Sequence, residues 1–221
     1  MASKSAAPAK VGPGYQIFTN SDGTVVRWNP CAPIHYAVNL GSGDAAAAPS
    51  VLADVQQAVA NVAAATGLVF VYDGTTSTVP TKAWLDAASQ PVAGAPQLVI
   101  AWAPPGSGAG HTDLFGADAD GEGGWWESGT SADGVHWIWQ IKRGFVVIDP
   151  AGSAAYAPGF GAGESRGVLL MHELGHAVGL GHTDDQREVM FPVVSASSKA
   201  AWGPGDAAGL ALVGATAGCI G

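Results

Sequence analysis

The run His172-Glu173-Leu174-Gly175-His176-Ala177-Val178-Gly179-Leu180-Gly181-His182 sets three imidazoles and one carboxylate at spacings that suit a zinc ion. Histidines four apart on a helix project from the same face, so His172 and His176 reach a common metal. Gly179 permits the sharp backbone turn that ends the helix and swings His182 back toward the same point. Three nitrogen ligands leave a tetrahedral zinc ion one position for water, whose pKa the metal lowers to about 7. Glu173 follows the first ligand and is placed to take a proton from that water and pass it to a leaving amine. The chemistry so specified is hydrolysis of a polarised carbonyl. The plainer reading is a set of satisfied histidines in an alanine-rich helix. With six histidines in 221 residues, chance would produce the whole pattern about once in 10⁵ such chains, which disfavours it.

The pattern His-Glu-x-x-His-x-x-Gly-x-x-His resembles that of the metzincin metallopeptidases, which carry a methionine turn beneath the metal. Glu188-Val189-Met190-Phe191-Pro192 is similar to that turn. The short connection from His182 to Met190, with Thr183 directly after the third histidine, resembles the matrixin branch, and the alanine- and glycine-heavy composition suits a secreted, bacterial-type catalytic domain. The resemblance is carried by residues 165–192. It implies a zinc metalloendopeptidase with His172, His176 and His182 as ligands and Glu173 as general base. Met190 would form an apolar floor under the imidazoles without binding metal. Phe191 follows it, so no tyrosine adjoins the turn as in astacin-like enzymes.

The resemblance also implies a fold of α/β (α+β) class: a twisted mixed sheet, a long helix, an active-site helix, and a small C-terminal subdomain with a terminal helix. Pro192, Val193 and Val194 would wall the primed-side pocket, with Val168 adding to its depth, which implies a hydrophobic residue just after the scissile bond. A glycine-flanked edge strand opened by Gly123-Gly124-Trp125-Trp126 would pair with an extended protein or peptide substrate. Trp125, Trp126, Trp137 and Trp139 are either cleft lining or core filler. Two other classes stay open: a secreted binding protein that keeps zinc without turnover, against which the intact Glu173 speaks, and a zinc hydrolase of a non-peptide amide or ester.

Composition fits one secreted globular enzyme. A chain of 221 residues with 48% hydrophobic content and eight tryptophans can bury a sizeable core. A net charge of −9 without clustered lysine or arginine argues against nucleic acid or an anionic membrane as partner. No apolar run is long enough to span a bilayer. Residues 1–30 read as a flexible leader without the apolar core of a signal peptide, and any such peptide is expected to have been removed. Residues 31–221 read as one catalytic domain, its N-terminal subdomain ending near 181 and its C-terminal subdomain covering 182–221. A monomer is expected. Cys31 and Cys219 lie near opposite ends, and the matrixin resemblance, which brings the first strand near the C-terminal helix, implies a disulfide between them. Reduced thiols, or a zinc-blocking switch at Cys31, are the alternatives.

The positioning elements follow from periodicity. Residues 33–40, 68–72, 97–102 and 145–149 read as strands bounded by glycine or proline. Val51, Val55, Ala58 and Val62 recur at helical spacing, with Ser50 as cap and Gly67 as terminator. The histidine-bearing helix starts near Ser165. A last helix starts at Asp206, read as its N-cap, and runs through Leu210 and Val213. Between the strands at 97–102 and 145–149, Asp113, Asp118, Asp120 and Glu122 stand among glycines. They read first as a solvated acidic loop and second as a calcium site. His111-Thr112-Asp113 resembles the start of the structural zinc loop of vertebrate matrixins, but tryptophan stands where the family has its next histidine, and His136 is a poor substitute. His35 carries no motif.

Overall fold

The computed structural model describes residues 7–20, 23–41, 47–87, 94–116, 119–130 and 138–220. Two sheets organise them. A five-stranded sheet has the order β4 (Phe70–Thr75), β3 (Ile34–Asn39), β5 (Leu98–Trp102), β7 (Ile138–Ile148), β6 (Gly121–Thr130). Its first four strands run parallel, and edge strand β6 runs antiparallel to β7. A smaller, three-stranded sheet joins β1 (Ala7–Gly12), β2 (Tyr15–Thr19) and β8 (Leu180–Gly181).

Parallel neighbours need crossovers, and α1 (Ala48–Thr66) supplies the one between β3 and β4; a short α2 (Lys82–Asp86) follows β4. Its buried residues Val55, Ala58, Val59, Val62 and Thr66 fall on one stripe and pack toward α3 (Arg166–Ala177). Gly67 ends α1 in the left-handed conformation, φ 69°. Asp54 of α1 pairs with Arg166 at the start of α3 at 3.2 Å and accepts the Gly159 N–H from the preceding loop at 3.0 Å. The core lies between the large sheet and these helices, and includes Ile34, Val38, Ile100, Val146, Leu170 and Leu174. The mixed sheet, long helix and active-site helix of the expected fold are all present.

Four expectations need correction. Residues 1–30 are not a flexible leader where they are described: Ile17 and Val26 have no exposed surface, and Trp28 is 3% exposed. Antiparallel pairing with β8 recruits this segment, a partner far away in sequence that local composition does not reveal. Strand β4 starts later than expected and runs through Asp73-Gly74 to Thr75. Ser50 lies inside α1, its hydroxyl donating to the Ala47 carbonyl, because the helix begins at Ala48 with Pro49 in its first turn. The last helix, α4 (Pro204–Val213), likewise begins earlier than Asp206. Gly203 precedes it, Pro204 occupies its first position, and Asp206 stands third.

Cys31 and Cys219 form a disulfide, with Cα atoms 5.4 Å apart across a sequence separation of 188. Arg27 and Asn29 reinforce the junction, donating to the Ala217 and Ile220 carbonyls at 3.2 and 3.1 Å. Closing so long a loop removes chain entropy from the unfolded state worth about 5 kcal/mol in the loop-closure model. The double variant Cys31→Ser/Cys219→Ser is therefore expected to lose about 3–5 kcal/mol of stability, measured as a shift in guanidinium midpoint against the oxidised parent.

Candidate metal centre

Helix α3 begins where the Ser165 hydroxyl accepts the Val168 N–H at 3.5 Å. Leu169, His172, Glu173 and His176 then fall three or four apart on one side of it, and all four face a cavity of about 300 Å³. At the helix end Gly179 adopts φ 110°, a conformation that L side chains rarely take, and turns the chain into β8 and on to His182. Edge strand β6 crosses the helix so closely that a Cβ on Gly123 would collide with the Glu173 carbonyl oxygen. Below the helix lies Met190, 1% exposed, its sulfur filling the space a Gly175 Cβ would need.

The three Nε2 atoms form a near-equilateral triangle. His172 and His176 are 3.2 Å apart, His172 and His182 3.2 Å, and His176 and His182 3.1 Å. Nitrogens bound tetrahedrally at the usual zinc distance would stand about 3.3–3.4 Å apart, so the donor set fits zinc. The remaining ring nitrogens set the tautomers. His172 Nδ1 lies 2.7 Å from the Val189 carbonyl and His176 Nδ1 2.9 Å from the Leu180 carbonyl. Carbonyls only accept, so both Nδ1 atoms carry hydrogen and both Nε2 lone pairs face the common point. Burial lowers His172 to about 4 and His176 to about 3, and lowers His182 as well. The triad is neutral at physiological pH, as metal ligation requires.

Glu173 is 5% exposed. Burial pushes its carboxyl up to about 8 and the neighbouring Glu122 adds to the rise, while a hydrogen bond from the Gly123 backbone opposes it. A bound dication would favour the carboxylate form beside it. The rest of the cavity wall comes from Pro192, Val193 and Val194 after the methionine turn, from Tyr156, and from residues 119–122 leading into β6.

The matrixin family model matches residues 86–211, more than half of the chain. The chain belongs to the matrixin family. Among curated proteins no match is found. Membership makes the chain one of a family of zinc metalloproteases, and the matched span holds the imidazole triad, Glu173, Met190 and strand β6.

Several residues singled out in the sequence stand elsewhere in this matrixin. Val168 is buried but does not line the cavity; Leu169 does, because one residue along a helix turns the side chain by about 100°. Trp125 packs on Phe18 with ring centroids 4.9 Å apart, and Trp126 packs against the cluster of Leu85, Val99 and Phe145, so both fill cores. Trp139 is half-buried on β7 and is not part of the cavity wall, whereas Trp137, His136 and Asp118 lie outside the described residues. The calcium reading gains nothing: Asp113 accepts the Lys82 N–H at 2.8 Å, Asp120 the Tyr156 hydroxyl at 3.1 Å, and Glu122 the Gly116 N–H at 3.2 Å. Among the described residues only His172, His176 and His182 group as a metal site. Thr112 is fully buried with its hydroxyl on the Pro80 carbonyl, and His35 pairs with Asp73 at 2.8 Å on the surface.

Two carboxylates under the site carry no site role in the sequence, where Asp206 reads as a helix cap and Glu188 as the start of the methionine-turn segment. Asp206, with no exposed surface, accepts the Val189 N–H at 2.6 Å and the Met190 N–H at 3.3 Å. Glu188 accepts the N–H groups of Gly205 and Asp206 at 3.0 and 2.8 Å. The pair ties the methionine turn to α4, and Val189 in turn holds the His172 ring. Burial raises Asp206 to about 6, opposed by its backbone donors and reinforced by Glu188. A carboxyl raised on folding favours the folded state most below its unfolded pKa, and that contribution fades as pH rises through the folded value. The stability difference between the parent and Asp206→Asn is therefore expected to shift in the parent's disfavour between about pH 4 and pH 6. Denaturant titrations across that range check it; a pH-independent difference would contradict it.

Proposed function

We propose that this matrixin is a zinc-dependent endopeptidase of extracellular proteins, with Glu173 as its general base and a preference for a hydrophobic residue just after the scissile bond. The observation that carries the reading is the convergence of three neutral imidazole nitrogens and one buried carboxylate on a single cavity. A zinc ion held by His172, His176 and His182 would polarise the scissile carbonyl and acidify the attacking water.

Glu173 moves the proton. It takes one from the attacking water and returns it to the leaving nitrogen, and its seclusion from bulk solvent keeps that proton local. Strand β6 lies at the sheet edge beside α3 and offers main-chain hydrogen bonds to an extended substrate segment. Leu169, Pro192, Val193 and Val194 give the cavity an apolar side that suits a hydrophobic side chain. The Cys31–Cys219 bridge fits an oxidising compartment, and among the described residues no helix is long and apolar enough to cross a membrane.

A proteome-derived peptide library, incubated with the zinc-loaded protein and with Glu173→Ala at equal zinc content, tests the reading. Turnover is expected to fall by about 10²–10⁴-fold in the variant with the metal retained, and the parent's cuts are expected before hydrophobic residues. Cuts before charged residues would overturn the specificity. Bound zinc without any peptide cleavage would favour a non-peptide hydrolase or a binding protein.

A further inference from the structure

The turn that delivers the third imidazole is walled by a segment far earlier in the chain, outside the span that matches the family. Trp28 Nε1 donates to the Ala177 carbonyl at 3.0 Å, at the end of α3. The Val26 carbonyl stands 3.1 Å from where a Gly179 Cβ would be. Strand β2 then pairs with β8, Gln16 opposite Gly181 and Ile17 opposite Leu180. The Gln16 amide fills the space above Gly181, its Oε1 2.8 Å from a Cβ there.

These contacts reach the supports of all three rings. Leu180, opposite Ile17, holds the His176 ring through its carbonyl at 2.9 Å, and His182 follows Gly181 directly. On the other flank, Gly14 packs on the Glu188 carboxylate, which binds the start of α4. From there Asp206 fixes Val189, whose carbonyl holds His172. A two-residue strand has little stability of its own, so whatever pairs with it determines where its backbone stands.

We propose that residues 15–20 and 23–28 are a positioning element of the metal centre, with Ile17 and Trp28 fixing the turn 177–182 so that the three Nε2 atoms are spaced for the metal before it arrives. This rests on the zinc reading above. Without the cradle the turn would have to be ordered when metal binds, and the entropy lost would appear as weaker affinity.

The test compares the full chain with Ile17→Ala, with Trp28→Phe, which keeps a smaller aromatic ring and removes the donor, and with Ile100→Ala, an equal deletion to Ile17→Ala at a fully buried position of β5. Zinc affinity is read by competition with a chelator, ligand geometry by the visible spectrum of the cobalt(II) form, and metal-free stability by thermal unfolding. Ile17→Ala and Trp28→Phe are expected to weaken zinc about 10–100-fold and to alter the cobalt bands. Ile100→Ala is expected to keep both at a comparable loss of metal-free stability. Parent-like affinity and spectra in Ile17→Ala and Trp28→Phe, or an equal loss of affinity in Ile100→Ala, would overturn the positioning role while leaving the zinc reading intact. Failure of the parent itself to bind zinc or cobalt would overturn both.

Discussion

Three nitrogen lone pairs must face one point, and almost every feature around the site serves that constraint. Neutral imidazoles crowded this closely gain nothing from one another, so their convergence has to be imposed from outside. Two backbone carbonyls, those of Val189 and Leu180, hold the His172 and His176 rings from behind. Each carbonyl belongs to a segment anchored elsewhere: Val189 to the buried Asp206, Leu180 to strand β2. The helix supplies the first two ligands by its own geometry, but the third depends on a turn, and turns take their precision from what they pack against.

The same constraint explains the polar groups buried in an otherwise apolar interior. Glu188 and Asp206 are costly to bury, yet together they satisfy backbone N–H groups of the methionine turn and the first turn of α4 that would otherwise be orphaned. Glu173 differs. It accepts from the Gly123 backbone and opens on the cavity shared with the imidazole triad and Tyr156.

The histidine-bearing stretch was legible in the sequence because helical period and ligand spacing are both local. Helix α1 and strands β3 and β5 were legible for the same reason: each carries an uninterrupted apolar pattern, and glycine or proline marks the ends. What stayed hidden depends on partners distant in the chain. Ile17, Val26 and Trp28 sit in short apolar runs broken by polar residues and Gly23, and their burial depends on β8 and the end of α3, far along the chain. Tyr156 reaches the cavity from an irregular segment with no period to read. Asp113, Asp120 and Glu122 look like cation ligands in composition, but in the fold each accepts from a different backbone amide or phenol, and among the described residues they do not group as a metal site. Leu169 and Val168 differ by a single step around a helix, a distinction that needs the helix's rotation as well as its presence.

The bridge between Cys31 and Cys219 also governs how the molecule carries mechanical load. Tension applied between residues 7 and 220 would pass through that covalent link and bypass the 188-residue span it closes. Helix α3, the large sheet and the methionine turn would be shielded. The unprotected path is the stretch before Cys31, where β2 is held to β8 by noncovalent contacts alone. Pulled at those two residues, the molecule would therefore yield along β1 and then β2, the strand that grips the ligand-bearing turn, while its interior stayed whole.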